Sequence, residues 1–79
     1  MNAPSHRALD LIGLKCPLPA LHTRKALSEM PAGAVLEVRT SDPLAAIDIP
    51  HLVRELGDRL LGQGAQGGVF VFVIERVER

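Results

Sequence analysis

The sequence lacks tryptophan and tyrosine, contains a single cysteine and has no long hydrophobic run. Without those aromatic rings, the core must be built from aliphatic side chains and two phenylalanines. One cysteine excludes an intrachain disulfide, the usual stabilising link of a small secreted domain. The longest apolar run covers residues 69–74, far short of the roughly 20 residues of a membrane-spanning helix. Residues 1–10 also lack the apolar segment of a signal peptide, so we expect a cytoplasmic protein that does not associate with membranes.

The overall charge is balanced, with nine basic and nine acidic residues. Residues 1–30 carry four basic and two acidic side chains, an excess of +2, whereas residues 31–79 carry five basic and seven acidic ones. A nucleic-acid-binding domain normally concentrates many lysines and arginines on one face. We therefore expect no stable binding of nucleic acid, because scattered charges of this kind are typical of a solvated surface.

Hydrophobic periodicity divides the chain into six predicted segments of regular structure. In the order strand, helix, strand, helix, strand, strand, they are residues 8–13, 17–30, 34–40, 43–56, 58–63 and 69–77. Residues 1–7 are predicted to be a flexible tail, and residues 62–68 a flexible glycine-rich loop. The apolar face of the first helix is predicted to consist of Ala20, Thr23, Leu27 and Met30. The 79 residues therefore predict one domain of the α+β class, a two-layer α/β sandwich with two helices on one face of a four-stranded mixed sheet.

The second helical segment contains two prolines with different consequences. Pro43 follows Asp42, a favourable helix cap, and lies where its missing N–H costs nothing. Pro50 would lie inside the helix, where a proline removes a backbone hydrogen bond and clashes with the preceding turn. We therefore predict a break, with a second helical start capped by Asp48 and an end at Gly57.

The single cysteine, Cys16, directly follows Lys15 and directly precedes Pro17, at the predicted start of the first helix. If Cys16 is the N-cap, then Pro17, Leu18 and Pro19 fill the first three helical positions, where the prolines cost little and fix the first turn. The amide of Leu18 is then free to donate to the sulfur. Together with the helix end and Lys15, this predicts a thiol pKa lowered by roughly one unit, toward neutrality.

Other readings of the cysteine are weaker. A buried structural cysteine needs neither a helix start nor the two prolines that follow Cys16. A thiol redox protein normally has a second, resolving cysteine, which this chain lacks.

The three histidines show no close ligand spacing with Cys16, so we expect no metal and no other cofactor. His22 is too far along the helix to serve as a base for the sulfur. A binding module for RNA or protein, without thiol chemistry, stays open as the alternative function.

Two segments of the chain, LDLIGLKCPLPALHTRKAL and SDPLAAIDIPHL, resemble the TusA family of small sulfur-carrier proteins, also called SirA-like. The specific part of the resemblance is the CPxP motif, with Cys16, Pro17 and Pro19, and the residues that precede it, Leu9, Asp10 and Gly13. The resemblance is supported by Arg24, Lys25, Gly33, Asp42, Pro43, Asp48, Ile49 and Pro50. Some members have a second cysteine shortly after the Asp-Ile-Pro motif, whereas the residues that follow this motif here are His51, Leu52 and Val53. The glycine-rich segment also looks longer than the last hairpin of typical relatives.

The resemblance implies a sulfurtransferase-type carrier on which Cys16 takes up sulfane sulfur as a persulfide. The implied partners are a cysteine desulfurase or rhodanese-type donor and an acceptor protein of a sulfur relay, in transfer-RNA thiolation, molybdenum-cofactor synthesis or sulfur oxidation. The residues expected to support Cys16 are Asp10, Gly13, Lys15, Pro17, Leu18 and Pro19. Those expected to dock the partner are Leu18, Arg24 and Lys25. Asp10 and Asp42 are also expected to have structural roles, as a strand end and a helix cap.

Overall fold

The computed structural model describes residues 6–77, which form a four-stranded sheet and two α-helices. In chain order the elements are β1 (His6–Leu11), α1 (Leu18–Ser28), β2 (Val35–Thr40), α2 (Ala45–Leu56), β3 (Arg59–Gln66) and β4 (Val69–Glu75). The strands lie in the order β1-β2-β4-β3; β1 and β2 are parallel, and the other two pairs are antiparallel. The predicted α+β class, the element order and the mixed sheet are confirmed.

The core lies between the sheet and the two helices. Strand β2 alternates as the sequence predicts: Leu36 and Val38 are buried, whereas Arg39 is exposed. The same core contains Leu27 of α1 and Ile49 of α2, so both helices cover one face of the sheet. On α1, Thr23 and Leu27 are buried as predicted, but Ala20 is only partly buried, and the face is completed by Pro19 and Ala26.

Helix α2 corrects the predicted break, because it runs without interruption from Ala45 to Leu56 with Pro50 inside it. The proline forfeits one backbone hydrogen bond. The residues on either side share one buried face, however, and the burial of Ile49 and Val53 continues across the proline. Tertiary packing of that face therefore outweighs the local cost. The predicted end at Gly57 is confirmed, since this glycine has φ +80° and closes the helix.

The last hairpin also differs from the prediction. Strand β3 extends to Gln66, and the turn to β4 consists of Gly67 and Gly68, which have φ +58° and +80°. A two-residue turn with positive φ at both positions matches the twist of antiparallel strands, and glycine adopts it without steric cost. Residues 62–66 therefore pair with β4 and are not a flexible loop.

The beginning of the chain is ordered earlier than the sequence predicts. His6 and Arg7, placed in the predicted tail, belong to β1 and pair with β2. Residues 1–5 lie outside the described part of the chain. Neither helix within residues 6–77 is long and apolar enough to cross a membrane.

The topology decides where the cysteine lies. Because β1 and β2 are parallel, their carboxyl ends lie at the same edge of the sheet, with Leu11 opposite Thr40. The segment that follows β1 leads into α1 and carries Cys16, and the segment that follows β2 leads into α2 and carries Asp42. Two parts of the sequence that are 26 residues apart are thus brought into contact.

Candidate functional site

Cys16 is partly buried, and it is held at this edge of the sheet by hydrogen bonds to two aspartates. Its backbone N–H donates to Oδ2 of Asp42 over 2.6 Å, and its Sγ–H donates to Oδ2 of Asp48 over 3.0 Å. Asp42 is only 7% exposed, and its Oδ1 also accepts from the N–H of Leu44. One carboxylate therefore anchors the cysteine backbone, and a second lies directly against the sulfur.

The start of α1 lies one residue later than predicted. The N-cap is Pro17, with no side-chain cap, and Leu18 and Pro19 are the first helical residues. The peptide bond between Cys16 and Pro17 is cis. The amide of Leu18 donates to the carbonyl oxygen of Lys15 over 2.9 Å, so the prediction that this amide is free for the sulfur is wrong.

The electrostatics of the thiol are the reverse of the prediction. The hydrogen bond to Asp48, followed by partial burial and by the negative charges of Asp48 and Asp42, raises the pKa of the Cys16 thiol above its ordinary value. Each of these effects favours the neutral thiol, because the bond donates the Sγ proton and a neighbouring carboxylate repels a thiolate. The surroundings of Cys16 therefore favour the neutral thiol in the free protein, and not the thiolate that the sequence predicts.

Asp48 lies against the sulfur, a position that the sequence does not predict. It was expected to cap a second helical start, but it lies in the first turn of the continuous α2. From there its carboxylate reaches a sulfur 32 residues away. A signal for this contact is present in the sequence: a strand-helix-strand unit with parallel strands places the residues after both strands at one edge of the sheet.

The residues predicted to support the cysteine lie between the end of β1 and the first turn of α1. Asp10 is the penultimate residue of β1, and its Oδ1 accepts from the N–H of Ile12. Gly13 has φ +93°, a conformation that favours glycine, and its N–H donates to Oγ of Ser41. Together with the bond from Cys16 to Asp42, this contact ties the segment after β1 to the segment after β2.

The three predicted docking residues do not lie at the same distance from the cysteine along α1. Leu18 is 43% exposed and lies two residues from Cys16, whereas Arg24 and Lys25 are exposed farther along α1. Arg24 lies six positions after Leu18 on the helix, a rise of about 9 Å. Other large apolar side chains are exposed near the starts of both helices and in the segment after β1. This apolar rim consists of Ile12, Leu18, Leu21, Leu44 and Ile47.

A metal centre is not formed by the described side chains. Within residues 6–77, no group of three or more histidine, cysteine, aspartate and glutamate side chains is arranged to hold a metal ion. The two aspartates near Cys16 are instead accounted for by hydrogen bonds to its amide and its sulfur.

The raised thiol pKa gives a prediction for alkylation. The rate of reaction with iodoacetamide should increase with pH around a midpoint above the ordinary thiol value of about 8.5. Asp48→Asn removes the carboxylate and should move this midpoint to lower pH. Glu55→Gln, the same change of charge at an exposed position of α2, should leave it in place. Coincident profiles for all three proteins would show that Asp48 does not control the thiol.

Comparisons with known proteins agree with this architecture. The family model described as sulfurtransferase TusA matches residues 7–76. The sulfur carrier protein TusA of Pseudomonas entomophila is 40% identical over 68 residues, which are 86% of this chain and 85% of that protein. The sulfur carrier protein TusA of Allochromatium vinosum is 38% identical over 68 residues, covering 86% of this chain and 90% of that one.

A solved structure is similar in fold. The crystal structure of a SirA-like protein from Desulfitobacterium hafniense superimposes with a TM-score of 0.80 at 24% identity, covering 91% of this chain and 99% of that one. At this identity the match concerns the fold alone. The family model spans nearly all of the described residues, including both helices and the cysteine segment. Because the family model matches residues 7–76 and the two TusA proteins are 38% and 40% identical to this chain, the chain belongs to the TusA sulfurtransferase family.

Proposed function

We propose that the protein is a sulfur carrier that takes up sulfane sulfur on Cys16 as a persulfide and passes it to an acceptor protein. The observation that carries this proposal is the position of the only cysteine, partly exposed just before α1 and hydrogen-bonded to Asp42, which follows β2, and to Asp48 in α2. A structural cysteine needs no such arrangement. The names of the relatives, sulfur carrier proteins, point to the same role.

The chemistry requires one sulfur atom that both attacks and is attacked. Sulfur is taken up when Sγ of Cys16 attacks the outer sulfur of a donor persulfide, and it leaves when an acceptor thiol attacks the same outer sulfur on Cys16. No second cysteine is present to convert the persulfide into an internal disulfide. The sulfur therefore stays available until an acceptor arrives.

The surroundings of Cys16 suit transient contact with partner proteins. The apolar rim places exposed leucine and isoleucine side chains around the cysteine segment. Exposed apolar groups at one edge of a small domain are typical of protein interaction sites. We propose that Leu18 docks the partner beside the sulfur, and that Arg24 and Lys25 add a basic flank for an acidic surface.

Membership of the family supports a proposal for the donor and the acceptor. We propose a cysteine desulfurase or a rhodanese-type protein as donor and a sulfur-relay protein as acceptor, in transfer-RNA thiolation, molybdenum-cofactor synthesis or sulfur oxidation. Each of these donors presents its own cysteine persulfide, so the transfer is an exchange between two cysteines. The exchange needs no cofactor on the carrier.

The proposal predicts a mass change. Incubation with a cysteine desulfurase and cysteine, or with a rhodanese and thiosulfate, should add about 32 Da, one sulfur atom, to the intact protein. The adduct should be absent from Cys16→Ser and should disappear on treatment with a reductant. If no donor produces the adduct, and Cys16→Ser binds RNA or protein as the wild-type protein does, the chain is a binding module and not a carrier.

A further inference from the structure

The hydrogen bond between Cys16 and Asp48 raises a question that the proposed function leaves open. In residues 6–77, Asp48 is the only group that accepts a hydrogen bond from Sγ, and the distance is 3.0 Å. A thiolate is the usual attacking species in persulfide and disulfide exchange. Here a carboxylate holds the proton on the sulfur and opposes its loss. An arrangement that only suppressed the nucleophile would slow a carrier at its own reaction.

We propose that Asp48 is a catalytic residue that takes the Sγ proton from Cys16 while the sulfur attacks the donor persulfide. This inference rests on the proposed function. The carboxylate already lies on the proton that must be removed, within the range expected of a general base. No movement of α2 is needed to bring it there.

The chemistry accounts for the choice of a carboxylate. A neutral thiol does not give its proton to a carboxylate at rest, but its acidity increases sharply as Sγ forms a bond to a second sulfur. A sulfur bonded to carbon, to sulfur and to hydrogen is a cationic centre and a strong acid. A weak base in place at that moment is therefore sufficient, and a base strong enough to ionise the resting thiol is not required.

The step balances without an external oxidant. Sγ of Cys16 forms a bond to the outer sulfur of the donor R–S–SH, and the bond between the two donor sulfurs breaks. The donor leaves as R–S⁻ with that electron pair, while the Sγ proton passes to Asp48 and then to R–S⁻. The products are Cys16–S–SH and R–SH. When the sulfur is handed on, an acceptor thiol gives its proton to Asp48, which passes it to the departing Sγ.

The surroundings of the pair fit this role. Cys16 and Asp48 are both partly buried, so a small donor reaches the sulfur while its carboxylate partner stays in contact. Asp42, the other nearby carboxylate, is occupied by the N–H groups of Cys16 and Leu44. His22 is exposed on α1 and makes no hydrogen bond to the sulfur. The described part of the chain thus offers one base in contact with the thiol.

The test compares two reactions of the same thiol at pH 7. The first is alkylation by iodoacetamide, which reports the thiolate and needs no proton acceptor in step with attack. The second is uptake of sulfur from glutathione persulfide, followed by quenched-flow mass spectrometry of the 32 Da adduct. A small donor is used because it brings no protein side chains of its own. The variant is Asp48→Asn, and Glu55→Gln is the control for charge on α2.

The proposal predicts that the two rates change in opposite directions. In Asp48→Asn, alkylation should become several-fold faster because the thiolate is no longer opposed. Sulfur uptake should become at least about tenfold slower, because a general base commonly contributes a factor of 10² to 10⁴ and part of this is offset by the added thiolate. Glu55→Gln should change neither rate. If Asp48→Asn does not fold, judged by circular dichroism, Asp48→Ser is used in its place with the same expectation.

Sulfur uptake that rises with alkylation, or that is unchanged, would overturn the role of Asp48 and leave the sulfur-carrier function intact. Failure of the wild-type protein to gain 32 Da from any donor would overturn the proposed function and the role of Asp48 with it. The two failures are therefore distinguished by the wild-type result.

Discussion

Leu27→Ala is expected to destabilise the domain by about 2 to 5 kcal/mol, the usual cost of replacing a buried leucine by alanine. Leu27 is 0% exposed and packs in the core that joins α1 to the sheet. The loss combines the burial energy of the missing carbons with the cavity that they leave. A domain of 79 residues has a total free energy of unfolding of only about 4 to 12 kcal/mol. The variant should therefore lose a large fraction of its stability, measured as a lower midpoint in urea.

The matched control for this change is Leu21→Ala. It is the same substitution on the same helix, but Leu21 is 55% exposed. Substitutions at such surface positions usually alter stability by about 0.5 kcal/mol or less. Equal urea midpoints for the two variants would mean that α1 does not pack on the sheet through Leu27.

Asp42→Ala is expected to lower the free energy of unfolding by about 2 kcal/mol or more and also to change the thiol. Its carboxylate accepts from the N–H groups of Cys16 and Leu44, and a hydrogen bond to a charged group contributes about 1.5 to 3 kcal/mol. Asp42 is nearly buried, so water replaces these bonds poorly. The negative charge of Asp42 also raises the pKa of the Cys16 thiol, so its removal should move the pH profile of alkylation to lower pH.

Asp10→Ala is the control for this second prediction. Asp10 forms the same kind of local bond, from its carboxylate to the N–H of Ile12 two residues later, but at an exposed position. Its loss should cost less than about 1 kcal/mol, because water can replace the partner. Equal urea midpoints for the two alanine variants would show that the bond from Cys16 to Asp42 does not hold the cysteine segment in place.

The pKa of the Cys16 thiol is controlled by two aspartates, Asp42 in the segment that follows β2 and Asp48 in the first turn of α2. The sequence offers the helix start, Lys15 and the amide of Leu18 as activating groups, but that amide donates to the carbonyl oxygen of Lys15. Asp48 and Asp42 oppose activation and raise the pKa of the Cys16 thiol. The two carboxylates therefore favour the neutral form of the thiol. We expect slow reaction with unrelated electrophiles at neutral pH, because the thiolate is the reactive species.

The secondary structure could be predicted largely from local signals. The alternation of Leu36 and Val38 with charged neighbours identifies β2, and Gly57 identifies the end of α2. The prediction was wrong where tertiary packing outweighed a local rule. Pro50 is a helix breaker in isolation, but the buried face that includes Ile49 and Val53 keeps α2 continuous. Gly67 and Gly68 form a tight turn because β3 and β4 pair on either side of them.

The sequence by itself determined that the protein has one thiol, that this thiol lies close to the start of the first helix, and the family to which the motifs belong. These are local properties, since they depend on neighbours in the chain. Only the tertiary structure decided which groups contact the sulfur. The parallel pairing of β1 with β2 brings Asp42 and Asp48 to Cys16, across 26 and 32 residues of chain. The charge state of the thiol depends on groups within a few ångströms in space, which spacing along the sequence does not specify.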